Sequence, residues 1–154
     1  MDAILDALRK RFRFTEGRIP HDEWDMLHEA GRFPDALLYA LLFLPRLSLV
    51  EDSVLLSDGS DDVAERFREA KKNSRWSLEE IEASFNMREI PFLFTDRDYT
   101  DDEEGLLAEA IAEAWRRALA ASFPTRRFAV NLLSASENAG HITVEFYEVR
   151  APGD

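Results

Sequence analysis

The segment between Thr100 and Pro124 constrains the fold most, because it carries the start signal, the periodicity and the stop signal of one long helix. Thr100 followed by Glu103 is a capping box, in which each side chain bonds the other residue's backbone N–H group. Phe123-Pro124 stops the pattern, so we expect a helix over residues 101–122. Its apolar positions recur at helical spacing: Leu107, Ala110, Ile111, Ala114, Trp115 and Ala118. A helix with one apolar stripe needs a second apolar surface to cover it.

The C-terminal part of the chain gives the clearest sheet signal. Apolar and polar residues alternate over two segments, with a turn at residues 136–140 between them. The apolar positions are Phe128, Val130 and Leu132 in the first segment and Ile142, Val144 and Phe146 in the second. Residues 46–56 predict either one bent strand or a hairpin around Glu51-Asp52, a pair without the positive-φ residue that tight hairpins favour. Residues 91–95 predict a further extended segment.

Five more helical segments are expected from apolar spacing and end signals, over residues 2–12, 22–30, 35–44 and 61–73 and from Ser77 onward. The segment 35–44 is apolar nearly all round, and we therefore expect it to be buried on most sides. Ser77 and Glu80 form a second capping box. The whole pattern predicts an α+β fold, with several helices packed against an antiparallel sheet of about four strands that ends in a C-terminal hairpin. We expect one globular domain over residues 1–150 and a loose tail over 151–154.

Composition and missing motifs exclude several classes of site. The chain has 154 residues and no cysteine, which rules out disulfides, thiolate zinc sites and cysteine nucleophiles. It has no glycine-rich nucleotide loop, no G-x-S-x-G elbow and no H-E-x-x-H motif, so we predict no cofactor and favour a protein that is not an enzyme. Acids at Asp2 and Asp6 are not typical of a signal peptide, and the longest apolar run, residues 36–44, covers about half of a membrane span. These features predict a cytoplasmic protein that does not bind membranes.

The net charge points to a class of partner. It is −12, from 31 acidic and 19 basic side chains. Such a surface repels nucleic-acid phosphate but attracts a basic protein, mostly at low salt. The chain is similar to bacterial immunity or antitoxin-type inhibitors that mask a nuclease toxin, in its size, its acidity, its absence of cysteine and its lack of catalytic motifs. This is a likeness of composition only. The leading hypothesis is a non-enzymatic acidic protein-binding module that engages a basic partner, with the oligomeric state left open; acidity that serves solubility alone is the alternative.

The densest acidic run, residues 96–104, is the candidate partner-binding site. Tested as a calcium loop from Asp96, it places Asp101 where glycine is required and Leu107 where the bidentate glutamate is required. One alternative to a binding role is structural, because acids in the first turn of a helix are stabilised by the helix dipole. Another alternative is a magnesium-dependent phosphotransfer site. We assign partner binding to this run and to a second acidic segment, with these residues: Asp96, Asp98, Tyr99, Asp101, Asp102, Glu104, Trp24 and Asp25.

A second hypothesis is a metal-assisted hydrolase that uses either the acidic run 96–104 or three side chains near residue 25. His21, Asp25 and His28 lie at i, i+4 and i+7, so a continuous helix presents all three on one face. Two imidazoles and a carboxylate can hold a divalent ion and leave coordination positions open. However, His21 follows Pro20 at or before the expected helix start, and a solvated helix face shows the same spacing. A small-ligand carrier is a third possibility, which the sequence neither supports nor opposes.

Overall fold

A computed structural model describes residues 3, 4, 7, 31–57, 62–94, 98–138 and 140–151. This part of the chain contains four helices, which we number in chain order: α1 (Phe33–Phe43), α2 (Val63–Asn73), α3 (Leu78–Phe85) and α4 (Asp101–Ser122). It also contains five strands: β1 (Leu47–Val50), β2 (Ser53–Leu56), β3 (Arg88–Glu89), β4 (Phe128–Leu133) and β5 (Thr143–Glu148). Residues 3, 4 and 7 are helical, and a short 3₁₀ helix covers Ile90–Leu93. The predicted α+β class is confirmed.

The strands form two antiparallel sheets. β1 and β2 pair as a hairpin, while β3, β5 and β4 lie in that order in a second sheet. β4 and β5 pair along their whole length, from Phe128 opposite Glu148 to Leu133 opposite Thr143, which confirms the predicted C-terminal hairpin. The connection between them passes through Gly140, whose φ of +94° lies in the left-handed region that glycine adopts without steric cost.

The segment 46–56 is a hairpin and not one bent strand. The pairing register leaves Glu51 and Asp52 as a two-residue turn between β1 and β2. Glu51 takes a positive φ of 55°, a region that costs a residue with a side chain about 1–2 kcal/mol. Its carboxylate lies 2.8 Å from Lys71 Nζ and 3.5 Å from Arg68 Nε, both on α2. Contacts with a distant helix therefore support a turn that the Glu-Asp sequence does not favour.

Both predicted capping boxes are present. At the start of α3, Ser77 Oγ accepts a hydrogen bond from the Glu80 N–H group at 3.2 Å, and the Glu80 carboxylate accepts one from the Ser77 N–H group at 2.6 Å. Thr100 and Glu103 make the equivalent pair at the start of α4, at 3.3 and 2.8 Å. The helix that follows covers residues 101–122, as the sequence predicts.

The core has two apolar clusters that meet at the β1–β2 hairpin. The larger cluster lies between α4 and the three-stranded sheet, where Trp115 packs edge-on against Phe146 with ring centroids 5.9 Å apart. The smaller cluster joins the hairpin to α2 and α3. All four residues of β2 are buried, with Val54 and Leu56 in the larger cluster and Leu55 in the smaller one. β2 thus connects the two halves of the core.

A buried amide fixes α3 to β2. Asn86 follows α3 directly and is fully buried. Its Oδ1 accepts a hydrogen bond from the Leu56 N–H group at 2.8 Å, and its Nδ2 donates one to the Val54 carbonyl at 2.9 Å. The side chain therefore satisfies backbone groups of β2 that have no partner strand at that position.

Two predictions from the sequence are wrong. Residues 90–93 form a 3₁₀ helix and not an extended segment, because Pro91 falls in the first turn, where its missing N–H group costs no hydrogen bond. The segment 35–44 forms α1 as expected, but α1 is not buried on most sides, and it has no buried residue. Among the described residues, Leu42 and Phe43 of this helix pack against the larger cluster, and large side chains on the opposite side are exposed.

Some predictions concern parts of the chain outside the described residues. These are the helix over residues 22–30, most of the helix over residues 2–12 and tail residues 152–154. No helix in the described ranges has both the length and the apolarity that crossing a membrane requires.

Candidate functional site

A cavity of about 470 Å³ lies between α1 and the first turns of α4. Its lining is mainly aromatic and aliphatic: Tyr39 and Phe43 of α1, Ile90 of the 3₁₀ helix, Phe94 directly after that helix, and Leu107 and Ala110 of α4. Ile4 and Ala7 also contribute to it. The Tyr39 and Phe94 rings, 6.0 Å apart between centroids, tie the α1 side of the cavity to the 3₁₀ segment.

The predicted acidic site divides into two parts at this cavity. Asp98, Asp101 and Asp102 are exposed to solvent. Tyr99 and Glu104 are half-buried and line the cavity. The run predicted as one binding patch is therefore an exposed acidic ridge on one side and part of a cavity wall on the other.

Two neighbouring glutamates in α4 have different roles. Glu103 Oε2 closes the capping box, accepting hydrogen bonds from Thr100 N at 2.8 Å and from Thr100 Oγ1 at 3.2 Å. Glu104 Oε1 is shielded from solvent and, among the described residues, has no hydrogen-bond partner. A shielded carboxylate oxygen without a donor is unusual, because it has lost water without gaining a replacement. Both glutamates line the cavity.

The outer face of α1 is an apolar surface that the sequence analysis missed. We define it by five large side chains with exposed fractions of 52–78%: Phe33, Leu37, Leu38, Leu41 and Leu44. On its inner side, α1 is anchored by Trp115, whose Nε1 donates a hydrogen bond to the Leu42 carbonyl at 2.8 Å. An all-round apolar segment is consistent with either burial or an exposed apolar face, and only the packing of its neighbours distinguishes the two.

A buried ion pair joins Glu82 on the inner side of α3 to Arg150. The sequence did not predict it. Glu82 is fully buried; its Oε1 lies 2.5 Å from Arg150 Nη2, and its Oε2 lies 3.0 Å from both Arg150 Nη1 and the Glu148 backbone nitrogen. Arg126 pairs with the Glu148 carboxylate at 3.0 Å and bonds the Asp52 carbonyl at 2.7 Å. The hydrogen bond that Arg150 donates to Glu82 raises the pKa of Arg150, so the guanidinium stays charged. These ion pairs and hydrogen bonds connect α3, β5 and the turn between β1 and β2.

The remaining predicted site residues lie outside the described part of the chain: Trp24, Asp25 and Asp96 for partner binding, and His21, Asp25 and His28 for a metal. Within the described part, no group of three or more His, Asp or Glu side chains is arranged to hold a metal ion. The metal-assisted hydrolase therefore stays a prediction from sequence spacing.

Comparison with protein families, with curated proteins and with solved structures finds no match to this chain.

Proposed function

We propose that this protein is an acidic cytoplasmic binding module that engages a basic protein partner, in the manner of a bacterial immunity or antitoxin-type inhibitor. In this proposal it acts by covering its partner and not by catalysis. The observation that carries the proposal is the outer face of α1, whose five large apolar side chains are each more than half exposed. Contiguous apolar patches of this kind are typical of protein interaction sites.

The outer face of α1 supplies the affinity in this proposal. Covering one leucine or phenylalanine side chain is worth about 1.5–3 kcal/mol before the costs of association. Leu37, Leu41 and Leu44 follow the i, i+4, i+7 spacing of one helical stripe, so one partner helix or strand can contact all three.

In this proposal the acidic ridge, formed by Asp98, Asp101 and Asp102, makes the protein selective for a basic partner. Asp98, Asp101 and Asp102 are exposed at the start of α4, and Tyr39 and Tyr99 line the same cavity, which places this ridge beside α1. Exposed charges near an apolar patch act mainly on association rate and on choice of partner. A partner that fits carries an apolar stripe flanked by lysine or arginine.

Two designed peptides test the proposal. One is an amphipathic helix of lysine and leucine, and the other has the same length and pattern with glutamate in place of lysine. We expect the lysine peptide alone to bind in surface plasmon resonance, with association that slows as salt rises. Leu37→Ser with Leu41→Ser should weaken binding about tenfold or more, mainly through faster dissociation.

The charge contribution has a matched control. Asp101→Asn and Asp102→Asn, tested singly, should each slow association, whereas Glu109→Gln removes the same charge from an exposed position further along α4 and should change it less. Equal binding of the two peptides, or an association rate that does not respond to salt, would overturn the proposal.

A further inference from the structure

The cavity between α1 and α4 is half-open to solvent. Its volume of about 470 Å³ falls within the roughly 300–1,000 Å³ of small-molecule sites. Its lining also resembles such sites, because aromatic and aliphatic side chains surround a small number of polar groups.

The charged groups among the described lining residues are all acidic. The described lining residues with ionisable side chains are two carboxylates, Glu103 and Glu104, and two phenols, Tyr39 and Tyr99. The Glu103 carboxylate is already engaged by the capping box of α4. Glu104 Oε1 is shielded from water and accepts no hydrogen bond from the described residues. The group that this oxygen lacks is a hydrogen-bond donor, and a positively charged donor suits it best.

We propose that this cavity is a binding site for a small amphiphilic amine, with the apolar body between α1 and α4 and the protonated amino group on Glu104. The apolar part is covered by Phe43, Leu107 and the other lining side chains. The ammonium group replaces the missing donor at Glu104 and neutralises the charge there. This site lies on the inner side of α1, so it is separate from the outer face that we propose for a protein partner.

Three probes of one chain length separate charge from hydrophobicity: octylamine, octanol and octanoate, each titrated by isothermal titration calorimetry at the same ionic strength. We expect one octylamine per chain, bound about tenfold or more tightly than octanol, as for a hydrogen bond to a charged group. Octanoate should bind most weakly, because its carboxylate meets two glutamates. Equal affinities for octylamine and octanol would overturn the proposal, and so would many octylamine molecules per chain.

Variants locate the binding within the cavity. Glu104→Gln should weaken octylamine about tenfold and leave octanol nearly unchanged. Glu109→Gln, at an exposed position of the same helix, is the matched control and should change neither. Ala110→Phe places a ring in the cavity and should abolish binding of both probes. Octylamine binding that survives either Glu104→Gln or Ala110→Phe at full strength would overturn the assignment.

Chain length gives a readout on the unaltered protein, which keeps the proposal testable even where a variant does not fold. From butylamine upward, each added methylene should raise affinity about fourfold until the cavity is full. The increase should then stop, because further carbons remain in water. An affinity that keeps rising after the volume of the alkyl chain exceeds that of the cavity would indicate partition onto an open surface and would refute a cavity of fixed size. Leu37→Ser with Leu41→Ser should leave amine binding intact, which separates this site from the proposed protein-binding face.

Discussion

Replacing Arg150 with methionine tests the buried ion pair most directly. Methionine keeps much of the aliphatic stem and removes the guanidinium, so Glu82 loses two bonds of 2.5 and 3.0 Å and keeps only the Glu148 N–H group. Glu82 has no exposed surface through which water can replace them. Breaking a buried pair by removing one partner costs about 3–5 kcal/mol. At roughly 2–4 °C per kcal/mol for a chain of this size, the melting temperature should fall by about 6–20 °C.

The assay is urea unfolding followed by circular dichroism, together with calorimetry for the melting temperature. Arg117→Met is the control, because it removes a 2.8 Å ion pair with Glu113 in which the arginine side chain is 79% exposed. It should cost under about 0.5 kcal/mol. Adding Glu82→Gln to Arg150→Met removes the uncompensated charge but keeps an acceptor for the Glu148 N–H group. The double variant should therefore be more stable than Arg150→Met alone. A loss below about 1 kcal/mol, or no recovery in the double variant, would refute this reasoning.

Two further predictions concern the hairpin. Asn86→Ala leaves one donor and one acceptor of β2 buried without partners, so the free energy of unfolding should fall by about 2–4 kcal/mol. The Leu56 amide should also exchange faster in hydrogen-exchange NMR. Protection equal to that of the wild type would contradict the role of Asn86. The hydrogen bond and positive charge of Lys71 hold the pKa of Glu51 below the usual 4.5. The stability that Glu51 contributes is thus complete above pH 4.5 and is lost as pH falls through its folded-state pKa. NMR titration of the side-chain carboxyl carbon should show this pKa rising in Lys71→Met, and an unchanged value would rule out Lys71 as the cause.

The parts of the fold that depend on local chemistry could be predicted from the sequence. Thr100 and Glu103 gave the start of α4 because a capping box involves only four consecutive residues. Alternation identified both β4 and β5, but it predicted the covered side chains only in part: Val130, Val144 and Phe146 are buried, whereas Leu132 is 38% exposed. The two-residue β3 is too short to show such a pattern. It is a strand because it pairs with β5, about 55 residues later, with Glu89 opposite Thr143.

Features that depend on distant partners could not be predicted. The positive φ of Glu51 is supported by Lys71 and Arg68, which lie on α2. Nothing in the local sequence distinguishes Glu82 from a surface glutamate, because its partner Arg150 is 68 residues away. The same holds for the candidate site. The acidic run was evident in the sequence, but its division between an exposed ridge and a cavity wall depends on where α1 packs.

The distance between Glu82 and Arg150 along the chain has a consequence for the order of folding. The β1–β2 hairpin and the capped helices join residues that are close in sequence, and such contacts form early because little loop entropy is lost. The Glu82–Arg150 pair closes a loop of 68 residues and requires β5 to be in place against α3. We therefore expect it to form after the transition state. Stability held in such late contacts acts on the rate of unfolding, so we expect this one pair to prolong the lifetime of the folded molecule without making it fold faster.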